Sequence, residues 1–129
     1  MSTEPPSGEQ HCLVVFVPAT HAEQVLQALG EAGAGRAGNY SHTAFVSRGT
    51  GRFTPLPGAH PVIGEVGRPH EVDEVRIETL YPAAERERVL RAMAGAHPDE
   101  VQAFTTFPVH DRGPSFDQQG RLRSRPDPA

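Results

Sequence analysis

The chain has 129 residues, 36% of them apolar, and a formal net charge of −4, which suits one domain with one modest core. The acidic balance does not favour a nucleic-acid partner. All 12 basic residues are arginine, which excludes a P-loop lysine, a Schiff-base lysine and a lysine general base. Cys12 is the single cysteine, so neither an intrachain disulfide nor a cysteine zinc site can form, and it reads as a small core residue. No apolar run approaches the roughly 20 residues that cross a bilayer, and the opening residues do not read as a signal peptide. The expectation is a cytoplasmic protein with no membrane partner.

Residues 1–10 lack an apolar stripe and read as a disordered lead-in to a domain over residues 11–110. His11 to Val17 is an apolar, strand-like run ended by Pro18. Thr20 and Glu23 have the spacing of a capping box, and a helix is predicted from about His21 to Ala32, with Ala22, Val25, Leu26 and Leu29 on one stripe. Gly33, Gly35 and Gly38 match G-x-G-x-x-G. They follow a helix and precede a strand, however, so Gly33 reads as the residue after a helix C-cap and not as part of a dinucleotide loop. Tyr40 to Ser47 is strand-like. Arg48-Gly49-Thr50-Gly51-Arg52 then reads as a hairpin turn, with an anion nest flanked by two guanidinium groups as the functional alternative.

The pattern repeats in the second half. Val75, Ile77 and Thr79 alternate with Glu74, Arg76 and Glu78, giving a strand over 72–80 with one apolar and one charged face. Pro82 suits a first helical position, and Ala83 to Ala94 carries Val89, Leu90 and Met93 on one stripe with Glu87 and Arg91 as an i,i+4 pair. Gly95 is read as closing that helix, and Gln102 to Val109 as the last strand. The whole predicts an α+β fold, a ferredoxin-like split β-α-β-β-α-β sheet with both helices on one face. The other face is then either solvated or paired with another subunit. Residues 111–129, with four Arg and three Asp among Pro, Gly, Gln and Ser, read as a disordered tail.

Seven histidines raise the question of a metal, but none of the spacings H-x-H, H-x-x-x-H or H-E-x-x-H occurs. A site built by the fold could bring His42 and His97 together at one sheet end near Glu65 or Glu100. Ser41 and His42 are adjacent and would point to opposite strand faces, while Glu74 and Glu78 lie roughly 13 Å apart along one strand. No catalytic residue, metal ligand or cofactor is therefore assigned, and the residues favour a binding role over an enzyme.

Val15-Phe16-Val17-Pro18, Gly33-Ala34-Gly35, Gly38-Asn39-Tyr40-Ser41-His42, Phe45, Gly49-Thr50-Gly51, Phe53, Pro55, Ile63-Gly64-Glu65, Glu74-x-Arg76-x-Glu78 and His97-Pro98 occur in that order. In these blocks, across roughly residues 12–109, the chain resembles the PII/CutA-like domain inserted in Nif-three-like, YqfO-type proteins. The resemblance implies a PII/CutA-like fold that forms homotrimers, here as a stand-alone copy without the metal-bearing body of the family. Thr43 stands where that family usually has cysteine, and Asp99 to Phe104 departs from its Y-E-E-P-A-Y pattern. The implied function is a homo-oligomeric binding or regulatory module; the alternative is a metal-binding or metal-dependent hydrolase-type protein of the same family. Asn39, Tyr40, His42, Thr50, Glu65, His97 and Glu100 are the polar residues hardest to explain by packing. With the Gly49 and Gly51 backbone and the side chains of Arg48 and Arg52, they would form a cleft for a small anionic or polar ligand.

Overall fold

The first apolar run becomes a strand because its β-branched residues suit the pleated backbone of a buried sheet and Pro18 cannot donate to a further rung. In the structure, a computed structural model that describes residues 8–112 and 119, this strand is β1 (Gln10–Pro18). The predicted lead-in and tail lie for the most part outside the described residues. The remaining elements are α1 (Ala22–Glu31), β2 (Phe45–Phe53), β3 (His70–Pro82), α2 (Arg86–Ala96) and β4 (Ala103–Val109). They form one sheet in the order β2-β3-β1-β4, with every neighbouring pair antiparallel. This is the split β-α-β-β-α-β arrangement expected from the sequence.

The register assigns the two faces of the sheet. Leu13, Val15 and Val17 lie opposite Thr79, Ile77 and Val75 and face the helices. There they pack with Val25 and Leu29 of α1, Val89 and Met93 of α2, and Tyr81, all fully or almost fully buried. Each such aliphatic side chain contributes about 1.5–3 kcal/mol on burial, so this one layer supplies most of the folding drive. Cys12 is also buried, as a small apolar residue on the opposite face.

The end of α1 follows its sequence signal closely. Gly33 has φ +103°, its N–H donates to Gly30 O at 3.1 Å, and the Ala34 N–H donates to Leu29 O at 3.0 Å, the paired bonds of a Schellman close. The start of α1 does not follow its signal. A 3-10 turn over Ala19–His21 intervenes, Ala22 N–H donates to Ala19 O, and His21 becomes the N-cap with no side-chain cap bond. The Thr20 hydroxyl is thereby one residue too early to cap and lies 2.8 Å from His21 Nδ1.

Three further boundaries are corrected. Pro82 is the last residue of β3 and precedes a second 3-10 turn, Ala83–Glu85; Gly95 lies inside α2, which runs on to Ala96; and Tyr40 precedes β2, held only by a bridge to Ala37. The Glu87–Arg91 pair forms as expected, at 2.6 Å. Among the described residues no helix is long and apolar enough to cross a membrane.

Candidate functional site

Gly49 and Gly51 do not turn the chain. Both are inside β2, opposite Glu74 and Val72, and neither has the positive φ that a nest or a primed turn needs. The predicted hairpin turn and its anion-nest alternative are both replaced by a continuous strand. Gly51 leaves room of another kind: the Glu74 carboxylate lies across it, where a Cβ would displace it. Thr50 faces the other way, opposite Asp73. Arg48 and Arg52 are occupied by Asp73 at 2.8 Å and Glu71 at 3.5 Å, so neither guanidinium stands free for an anion.

The remaining sequence candidates divide between the two ends of the sheet. At the end where β3 finishes, Gly35 N–H donates to Leu80 O at 2.7 Å, and both the N–H and the hydroxyl of Thr43 donate to Gly35 O, at 3.1 and 2.9 Å. Thr79 Oγ1 donates in turn to Thr43 O at 2.8 Å. Gly35 has φ +82°, and a Cβ on it would come within 2.5 Å of the Thr43 nitrogen, so only glycine fits. The distinctive Gly-Asn-Tyr-Ser-His stretch is thus the surface of a backbone clasp, with Asn39, Tyr40 and His42 exposed on it. His42 takes φ +59° and lays its ring on Gly30 of α1, where a Cβ would collide with it.

His97 is at the other end of the sheet and is part of the core. Its side chain has no exposure; Nε2 lies 2.7 Å from Phe16 O, and Asp99 N–H donates to Nδ1 at 3.1 Å. A carbonyl can only accept and an amide N–H only donate, so the ring carries its proton on Nε2. The two histidines do not meet. His42 belongs to the Thr79 level of the sheet and His97 to the Arg76 level opposite Phe16, roughly 10 Å apart along the strands at ~3.3 Å per residue, His42 beside the end of α1 and His97 at the end of α2. The shared site of His42, His97, Glu65 and Glu100 is therefore not formed. Glu65 pairs with Arg68 at 3.3 Å, and Glu100 accepts the His60 N–H at 3.0 Å. Among the described residues, no three His, Cys, Asp or Glu side chains are grouped to hold a metal ion.

A cleft does exist at this second end. The connection over residues 54–69 is folded on itself by Gly67 N–H donating to Pro55 O at 2.7 Å, and the His60–Glu100 bond ties it to the segment after α2. Between them is a cleft of about 370 Å³. Pro18, Phe53, Pro61, Val62, Val101 and Ala103 give it an apolar wall, and Glu74, Asp99 and Glu100 are its acidic groups against the single base Arg52. Glu74 is half-buried and makes no hydrogen bond or ion pair among the described residues. Burial, and then the neighbouring Asp99 carboxylate, push its carboxyl above the usual value. Of the sequence candidates only Arg52 and Glu100 line this cleft. Its walls come from four separated segments with no shared periodicity, and the available signal was a strand glycine facing an acid, Gly51 and Glu74.

The face of the sheet away from the helices is the second candidate surface. Arg76 and Glu78 pair within β3 at 2.9 Å, forming part of the expected charge ladder. On either side of this row the register places Phe45, Phe53, Phe16 and Phe107 on the same face, each more than a third exposed. Three of the chain's six phenylalanines, Phe16, Phe45 and Phe107, are therefore on an uncovered part of this face, Phe53 being a wall of the cleft beside residues 54–69, and such a distribution is typical of interaction surfaces.

Strand order, antiparallel register and helices on one face define a ferredoxin-like domain of the PII/CutA class. The B. subtilis GlnK–ATP complex (TM-score 0.57, 11% identity, 81% of this chain and 85% of that one) and the periplasmic divalent cation tolerance protein CutA of Archaeoglobus fulgidus (0.59, 11%, 80% and 86%) share this fold. Sequence similarity narrows the class. Proteins named GTP cyclohydrolase 1 type 2 homolog match at 48% identity over 110 residues in Bacillus subtilis and 43% over 120 residues in Mycobacterium tuberculosis, covering 85% and 89% of this chain. A Bacillus cereus protein related to NIF3 superposes with a TM-score of 0.72 at 46% identity over 84% of the chain. The chain is a PII/CutA-like relative of the Nif-three-like, YqfO-type proteins. It spans only 29%, 31% and 28% of those three relatives' own lengths. No family profile matches it.

Proposed function

We propose that the protein is a cytoplasmic, homo-oligomeric PII/CutA-like module that binds a small ligand or a regulatory partner, with the open sheet face as the contact between copies. The observation that carries this reading is the exposure of Phe16, Phe45 and Phe107 around the Arg76–Glu78 row. Burying such a face would release apolar surface worth about 25 cal/mol per Å², and the central ion pair would fix the register between copies. A trimer is the expected state. Sedimentation equilibrium of the full chain at micromolar concentration should give about three times the 13.9 kDa chain mass. Phe107→Asp should shift it to monomer without changing the circular dichroism spectrum. A monomer at every concentration would overturn the reading.

A further inference from the structure

The cleft between residues 54–63 and 99–103 joins three features that rarely coincide by packing alone. Its volume of about 370 Å³ falls in the range of small-molecule sites, and most of its lining is proline and aliphatic. Its acids outnumber its bases, and Arg52 is paired with Glu71 at 3.5 Å. Glu100 uses Oε2 on the His60 N–H, which closes the cleft, and Asp99 is fixed through its own N–H to His97. Glu74 has no such duty: its carboxylate lies over Gly51, where a Cβ would displace it, and it makes no hydrogen bond or ion pair among the described residues.

A half-buried carboxylate held against an apolar wall is best satisfied by a cation that donates a charge-assisted hydrogen bond and brings its own hydrocarbon surface. A bare metal ion would gain nothing from the apolar wall, and no three-ligand grouping is present among the described residues. An anion would meet three carboxylates. We propose that this cleft binds a small organic cation, a primary ammonium carried on a hydrocarbon or aromatic body, with Glu74 as its counter-ion. The proposal rests on the reading of the protein as a ligand-binding module and names the ligand class. Of the small anionic or polar ligand expected from the sequence it drops the anionic choice, because the nest that choice drew on is a strand.

The test is an amide-shift titration of the isotope-labelled full chain at neutral pH with three probes of one shape: 2-phenylethylammonium, 2-phenylethanol and 3-phenylpropionate. The ammonium should give saturable shifts confined to residues 52–63, 72–74 and 99–103, the alcohol weaker shifts at the same amides, and the carboxylate none. Glu74→Gln should weaken the ammonium by about tenfold or more and leave the alcohol unchanged, since one charge-assisted bond is removed. Gly51→Ala, which displaces the Glu74 carboxylate, should act in the same direction. Equal binding of ammonium and alcohol to the wild type, full ammonium affinity in Glu74→Gln, or no saturable shift in this region would each overturn the proposal. Sedimentation of the same samples separates this outcome from the assembly reading: a monomer that binds the ammonium removes the trimer alone, and a trimer that does not bind removes the cleft alone.

Discussion

The two ends of the sheet are both rich in glycine and histidine, yet they are built for different ends. At the end of Gly33 to Thr43, glycines sit at positive φ and backbone meets backbone: Gly35 bonds to Leu80 and Thr43 to Gly35. At the other end Gly51 is an extended strand residue whose missing side chain leaves room for the Glu74 carboxylate, and the adjoining loop stands off to leave a cleft. The contrast teaches that a glycine demanded by φ marks a structural clasp, whereas an extended strand glycine leaves space that a neighbouring side chain can occupy.

The largest expected effect falls on the clasp. Gly35→Ala would place a Cβ 2.5 Å from the Thr43 nitrogen at φ +82°, and both penalties act on backbone that cannot give way, so a loss of about 3 kcal/mol or more is expected in urea unfolding. A loss under about 1 kcal/mol would show the clasp to be adjustable. His97→Ala comes next. It strands the Phe16 carbonyl and the Asp99 N–H and leaves a void, for about 2–4 kcal/mol. His42→Ala, at the opposite end and exposed, should cost less than about 1 kcal/mol, and the double variant should equal the sum because the two side chains share no partner. This replaces the sequence-based expectation that the pair would meet in one ligand cleft.

Smaller effects separate the two uses of glycine. The carboxyl of Glu74 is raised in the folded state, so its contribution to stability is complete while it is protonated and is lost as pH rises through the folded value. Its ionised form, disfavoured by burial and by Asp99, opposes folding. Glu74→Gln should therefore raise the melting temperature at about pH 7.5, with the gain vanishing as pH falls below the ordinary carboxylate range. An unchanged or lowered melting temperature at neutral pH would mean that the carboxylate has a favourable partner. The smallest effects belong to Gly49→Ala, where a Cβ meets nothing, and Gly51→Ala, where the flexible end of Glu74 can swing aside: a change within about 0.5 kcal/mol is expected for each.

Periodicity carried most of the fold. The Val25–Leu29 stripe, the alternation of Val75 and Ile77 with Arg76, and Gly33 after its helix each state a local rule that the tertiary structure obeys. The errors fell where a second rule competed. Gly49 and Gly51 looked like turn residues because their role depends on β3, more than twenty positions away in sequence. The capping signal at Thr20 was displaced by one 3-10 turn. His97 looked like a site residue because the carbonyl that holds it in the core, Phe16 O, is 81 residues earlier. The cleft was the least legible feature, since none of its four segments carries a pattern of its own.

Residue-resolved hydrogen exchange of the full chain tests the contrast between the two ends most directly. The amides of Ala34, Gly35 and Thr43, each bonded to backbone in the clasp, should exchange as slowly as the core of β1. Across residues 56–63, where Ala59 N–H to Leu56 O and His60 N–H to Glu100 are the bonds that hold the wall of the cleft, exchange should be faster by orders of magnitude. Equal protection of the two stretches, or a fast-exchanging Gly35, would contradict the account.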